Sequence, residues 1–88
     1  MPRVRVEVLL DDTGNVAKAI AAKYPRADMT ALQAVDALKI ARLSMVFTCE
    51  MRGSARYRRR VSVCRTNAVL RVVRDDGKVL GTYNFIGR

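Results

Sequence analysis

Arginine is concentrated in one short stretch of the chain. Six arginines and no Asp or Glu lie between residues 52 and 65. They are Arg52, Arg56, Arg58, Arg59, Arg60 and Arg65. Because the planar guanidinium group donates paired hydrogen bonds to phosphate and carboxylate oxygens, the chemistry predicted for this stretch is the binding of an anionic partner.

The spacing of three of these arginines favours a nucleic-acid backbone as that partner. Arg56, Arg58 and Arg60 alternate with Tyr57 and Arg59, and alternate residues of a β-strand share one face at intervals of about 6.6 Å. This interval is comparable with the separation of neighbouring phosphates. We therefore expect an arginine ladder that binds RNA, DNA or a nucleoprotein complex. An acidic protein surface satisfies the same electrostatics, and a solvated sheet face whose charge opposes aggregation is the structural alternative.

The chain as a whole is strongly basic, and the excess charge lies in its second half. The 88 residues have a formal net charge of +9. Residues 1–50 carry seven Lys and Arg against six Asp and Glu, whereas residues 51–88 carry ten against two. Because uncompensated like charges repel one another, this distribution favours an acidic partner for the second half.

No residues suggest catalysis, a metal or a cofactor. The chain has no histidine and no CxxC pair, and no glycine-rich phosphate loop is present. Two pairs of neighbouring carboxylates, Asp11–Asp12 and Asp75–Asp76, fall in turn-forming sequences, where Asp caps helices and shapes hairpins. We therefore expect a binding protein without cofactor, and not an enzyme.

The two cysteines are expected to be reduced thiols. Cys49 and Cys64 lie in apolar, strand-like sequences, where cysteine commonly serves as a small buried residue in a reducing compartment. A disulfide between them requires that their strands be neighbours. The turn-forming sequence over residues 52–55 predicts that they are, so this alternative stays open.

The elements that position the ladder follow from the hydrophobic spacing. Helical periodicity predicts helices over residues 16–24 and 30–43, the second opened by a capping box at Thr30 and Gln33 and carrying a core stripe of Leu32, Val35 and Leu38. Alternation predicts strands over residues 3–10, 43–51, 56–64, 68–74 and 79–86. The sequence thus predicts one α+β domain over residues 1–88, ordered strand-helix-helix-four-strand. A single mostly antiparallel sheet carries both helices on one face, and the place of the first strand in it stays open.

The C-terminal third resembles the terminal strands of the RelE/ParE toxin family. The segment over residues 58–88 reads RRRVSVCRTNAVLRVVRDDGKVLGTYNFIGR, and in that family such strands follow one strand and two helices. Toxins of the family cut ribosome-bound mRNA or poison gyrase through basic and tyrosine side chains on the sheet. The resemblance implies such a role for Arg58, Arg60 and Tyr83.

The function expected from these observations is that of a small, basic, cytoplasmic, non-enzymatic nucleic-acid-binding protein without a membrane span. Three alternatives stay open. One is a phage or mobile-element inhibitor that blocks a host defence complex by protein–protein contact. Another is a RelE/ParE-like toxin, and the third is a homo-oligomer that pairs strand edges or an apolar helix face.

Overall fold

The computed structural model describes residues 3–50 and 61–86, with backbone alone at residues 47–50 and 61–63. Two helices and six strands are present among these residues: β1 (Val4–Asp11), α1 (Asn15–Lys23), β2 (Asp28–Met29), α2 (Ala31–Leu43), β3 (Val46–Glu50), β4 (Val61–Arg65), β5 (Ala68–Arg74) and β6 (Val79–Phe85). Four strands form a sheet in the order β2-β1-β5-β6, and β3 pairs with β4 in a two-stranded ribbon. All strand pairs are antiparallel.

The predicted α+β class is confirmed. β1 lies inside the four-stranded sheet, between β5 and the two-residue strand β2, which answers the question that the sequence left open. The two strands that the sequence predicts between α2 and β5 pair with each other and make up the β3–β4 ribbon.

Both helices begin where polar side chains satisfy their first backbone N–H groups. The carboxylate of Asp11 accepts hydrogen bonds from the N–H groups of Gly14 and Ala17, at 3.1 and 2.9 Å. Gly14 adopts φ +77°, a left-handed conformation that favours glycine. At α2, the Thr30 hydroxyl and the Gln33 side chain form the predicted capping box.

The core lies between the helices and one face of the sheet. Its two largest fully buried side chains are Val16 of α1 and Leu70 of β5. From α2 the buried residues are alanines: Ala34, Ala37 and Ala41.

The core stripe predicted for α2 is therefore wrong in part. Leu32 is 82% exposed and Val35 is also exposed, whereas Leu38 is partly buried against the core. Helical periodicity identifies the most hydrophobic face of α2. The face that packs on the sheet is instead the one with the smaller alanine side chains, because protein interiors are closely packed.

The prediction of reduced cysteines is also wrong for Cys64, which is disulfide-bonded. The one other cysteine of the chain is Cys49. In the ribbon register, Phe47 lies opposite Cys64 and Cys49 opposite Ser62, so the backbone positions of the two cysteines are diagonal neighbours on one face. The strands are thus neighbours, which is the condition for a bridge.

The molecule is elongated, with dimensions of 58, 21 and 14 Å and a radius of gyration of 15.9 Å. A compact chain of this length has a radius of gyration of about 12 Å. The difference arises because β3 and β4 pack mainly against each other and project from the body. In the described ranges, neither helix is long and apolar enough to span a bilayer.

Truncating the buried β5 leucine should destabilise the fold strongly. Leu70→Ala should lower the free energy of unfolding by about 2–5 kcal/mol, because it removes buried methyl groups and leaves a cavity. Urea titration followed by circular dichroism measures this change. Leu32→Ala is the matched control, and its free energy of unfolding should change by less than about 0.5 kcal/mol. Equal losses in the two variants would contradict this description of the core.

The β5–β6 turn should contain an unusually acidic carboxyl group. Hydrogen bonds from Arg74 and from the backbone N–H of Lys78 lower the pKa of Asp76 from 3.8 to about 2. Because the pKa is lower in the folded protein, the carboxylate stabilises the fold above about pH 4, and this contribution is lost as the pH falls through about 2. A carbon-detected NMR titration should give a midpoint near 2 for Asp76. In Arg74→Gln the midpoint should rise toward 3.8, and an unchanged midpoint would contradict the assigned cause.

Candidate nucleic-acid interface

The β3–β4 ribbon carries the candidate interface, and hydrogen bonds at its base attach it to the body. The backbone N–H of Thr66, just after β4, donates to the carbonyl of Met45, just before β3, at 2.9 Å. Both residues are buried. The N–H of Asp12 donates to the carbonyl of Asn67 at 3.3 Å, which links the same base to the end of β1. The start of the ribbon is therefore held by the core.

Most of the predicted binding residues lie outside the described residues. Arg52, Arg56, Arg58, Arg59 and Arg60 all belong to the sequence that joins Glu50 of β3 to Val61 of β4. Arg65 ends β4, is exposed, and lies opposite Val46 in the ribbon register. The ladder of Arg56, Arg58 and Arg60 thus remains a prediction.

In the body, by contrast, many basic side chains are paired with carboxylates. Glu7, on the sheet face opposite the core, accepts hydrogen bonds from Arg71 at 2.7 Å and from Arg5 at 3.0 Å. These two contacts, Arg71 first, lower the pKa of Glu7. Two further ion pairs join Arg3 to Asp28 and Arg74 to Asp76.

A fifth ion pair connects the two helices. Lys23, at the end of α1, lies 2.7 Å from the carboxylate of Asp36 in α2. The hydroxyl of Tyr24 donates a hydrogen bond to the same oxygen. Together these contacts lower the pKa of Asp36, with the larger effect from Lys23. The carboxylates of Glu7, Asp28, Asp36 and Asp76 are thus engaged in structural contacts.

Two exposed arginines at the base of the ribbon have no such partner. Within residues 3–50 and 61–86, no carboxylate lies within ion-pair distance of Arg42 or Arg65. Both line an open groove of about 660 Å³, called here the ribbon-base groove, together with Leu43, Val46, Phe85 and Ile86. Positive charge therefore extends from the ribbon sequence to the body.

Sequence reasoning did not single out Arg42. It lies near the end of α2, where a basic residue is commonly explained by the helix dipole, and its spacing matched the predicted helical stripe. The pairing of β3 with β4 brings Arg65 to the same groove. The predicted antiparallel strand order makes these two strands neighbours, but the approach of Arg65 to the end of α2 depends on the register Val46↔Arg65, which alternation alone does not predict.

The described residues offer no metal site, because no group of three or more His, Cys, Asp or Glu side chains converges among them. Comparisons of the chain with protein-family models, with curated proteins and with solved structures find no match. They therefore add no support to the RelE/ParE resemblance.

The two arginines of the ribbon-base groove should bind anions that the paired arginines of the sheet do not bind. Titration with inorganic pyrophosphate should shift the side-chain Nε–Hε NMR signals of Arg42 and Arg65, because their donors face solvent. The signals of Arg5 and Arg71 should change little, because Glu7 already accepts from both. Equal shifts at all four arginines would contradict a distinct basic site at the ribbon base.

Proposed function

We propose that this protein binds double-stranded nucleic acid by inserting the β3–β4 ribbon into a groove, with the ribbon arginines on the flanking phosphates. The observation that carries the proposal is the separate ribbon: β3 and β4 pair with each other outside the four-stranded sheet. The ten residues that join them contain five arginines and no carboxylate.

The dimensions of a ribbon support a duplex as the partner. The major groove of B-DNA is about 12 Å wide and admits a two-stranded β-ribbon. Neighbouring strands lie about 4.8 Å apart, so a ribbon with its side chains fits this width. A strand that is paired on both sides within a sheet lacks this access.

The distribution of charge supports the same partner. Carboxylates in the body engage Arg3, Arg5, Lys23, Arg71 and Arg74. No described ion pair engages Arg42 and Arg65 at the ribbon base, or Lys18, Arg26, Lys39 and Lys78 elsewhere. A phosphate backbone provides closely spaced negative charges and releases counterions when arginine neutralises them. Binding of this kind needs neither a cofactor nor a catalytic group.

The proposed location is the cytoplasm, where intracellular nucleic acid is accessible. The Cys64 disulfide in the binding ribbon counts against this location, because disulfides are uncommon in reducing compartments. Affinity should therefore be measured both with and without dithiothreitol, so that reduction of the ribbon is separated from the effect of charge.

Replacing the predicted ladder should reduce the salt dependence of binding. If Arg56, Arg58 and Arg60 each neutralise one phosphate, the triple change to Gln should make the slope of log affinity against log salt shallower by about three for duplex DNA. Fluorescence anisotropy with a duplex of mixed sequence measures the slope, with circular dichroism as the folding control.

The chain offers a control with the same change of charge. Lys18, Arg26 and Lys39 are exposed and lie on the body, so their triple change to Gln should leave the slope nearly unchanged. Equal slopes for the wild type and the ladder variant, both folded, would overturn the proposal. Binding of single-stranded RNA in preference to duplex, or of an acidic protein alone, would overturn the duplex assignment.

A further inference from the structure

β6 is an edge strand with little of the usual protection against self-association. Among the described strands it pairs with β5 alone, so its outer backbone N–H and C=O groups have no strand partner. Edge strands are commonly shielded by charged residues, proline, β-bulges or very short length. β6 has one of these features, a register shift against Val72 and Val73 of β5. Residues 79–86 contain no charged residue and no proline, whereas the strand at the other edge, β2, has only two residues.

An apolar surface lies beside this edge. The space between α2 and β6, called here the α2–β6 groove, is lined by Val35, Leu38, Leu80 and Tyr83 and has a volume of about 170 Å³. The groove is open because α2 faces the sheet with its alanines and leaves larger side chains in solvent. Towards the C-terminal ends of α2 and β6, it is followed by the ribbon-base groove.

The exposed apolar area is close to what a stable interface requires. Six large apolar side chains along these two grooves are between 39 and 80% exposed, namely Val35, Leu43, Val46, Leu80, Tyr83 and Ile86. Together they leave an apolar surface on the order of a few hundred Å² in water. A standard interface buries about 800 Å² per partner, of which about three fifths is apolar. The two grooves therefore supply most of that apolar surface.

We propose that a second copy of this chain covers the apolar side chains of this surface and leaves Arg42 and Arg65 to the nucleic acid, with β6 of each copy paired antiparallel about a two-fold axis perpendicular to the sheet. Such an interface is self-complementary, because each copy contributes the same strand and the same grooves. It joins two four-stranded sheets into one of eight strands. The exposed apolar side chains of both α2 helices then face each other across the joined strands.

Electrostatics favour this arrangement over other contacts between two copies that each carry nine positive charges. The ribbon base and Ala68 of β5 lie at the same end of the sheet as Phe85 of β6. Antiparallel pairing of β6 therefore places the two ribbons at opposite ends, separated by at least about 20 Å of strand length. The same pairing places the β5–β6 turn of the second copy beside the ribbon-base groove of the first. In that turn Arg74 is already paired with Asp76.

Sedimentation equilibrium without nucleic acid tests the dimer independently of the proposed function. The wild type should dimerise with a dissociation constant in the micromolar range or tighter, as interfaces of this size do. Leu80→Lys should raise that constant roughly tenfold or more, because it places an unpaired charge in the apolar contact. A wild type that stays monomeric at about 100 μM would overturn the proposal.

Leu9→Lys is the matched control. Leu9 and Leu80 are both 50% exposed leucines in strands, but Leu9 belongs to β1, which β5 separates from β6. Its substitution should leave the dissociation constant unchanged, and circular dichroism should show both variants folded. Equal weakening by the two substitutions would overturn the assignment of the interface to β6.

Hydrogen–deuterium exchange provides a readout that does not depend on any variant. In the wild type, amides of residues 79–86 should exchange more slowly as the protein concentration rises, because pairing protects the outer edge of β6. Amides of β5, which already has a strand on each side, should not change. A dimer without this protection would show that the copies associate through another surface.

Discussion

Ala34, Ala37 and Ala41 bring α2 close to the sheet, because a methyl side chain allows a shorter separation than leucine or valine. This contact belongs to the same buried cluster as Leu70 and Val72 of β5 and Met45 after α2. The packing of these alanines on the sheet determines where α2 ends relative to the sheet. It thereby determines the point at which the ribbon leaves the body. It also turns the larger apolar residues of α2 towards solvent. The candidate interface and the exposed apolar surface are thus two consequences of one packing contact.

The described ion pairs lie in the body, whereas the arginine-rich sequence lies in the ribbon. Carboxylates of the body pair with arginine and lysine at helix ends, across the open sheet face and in the β5–β6 turn. These exposed pairs contribute little individually to stability, and they engage five basic side chains of the body. Residues 46–65 carry six arginines against one acidic residue, a net charge of +5, and the rest of the chain carries the remaining +4. A field concentrated at one projecting element attracts a polyanion to that element.

A two-stranded ribbon is marginally stable in water unless something holds it. Here the Thr66–Met45 hydrogen bond attaches its base to buried residues, and the disulfide of Cys64 adds a covalent constraint. In the chain-entropy description, a disulfide that closes a loop of about 15 residues stabilises the folded state by about 3 kcal/mol. The ribbon can therefore stay ordered without a place in the main sheet.

The sequence by itself determined the α+β class, the helix caps and the location of the excess arginine, because each depends on residues close together in the chain. Asp11, Thr30 and Gln33 act within a few positions of one another, and strand alternation is visible in every window. Only the tertiary structure decided that β1 lies between β2 and β5, that β3 and β4 form a separate ribbon, and that Arg42 approaches Arg65. Periodicity predicted that Leu32 and Val35 lie in the core, because it shows only which face of a helix is more apolar. The width of the space above the sheet, to which the alanines of α2 are fitted, depends on strands that lie elsewhere in the chain.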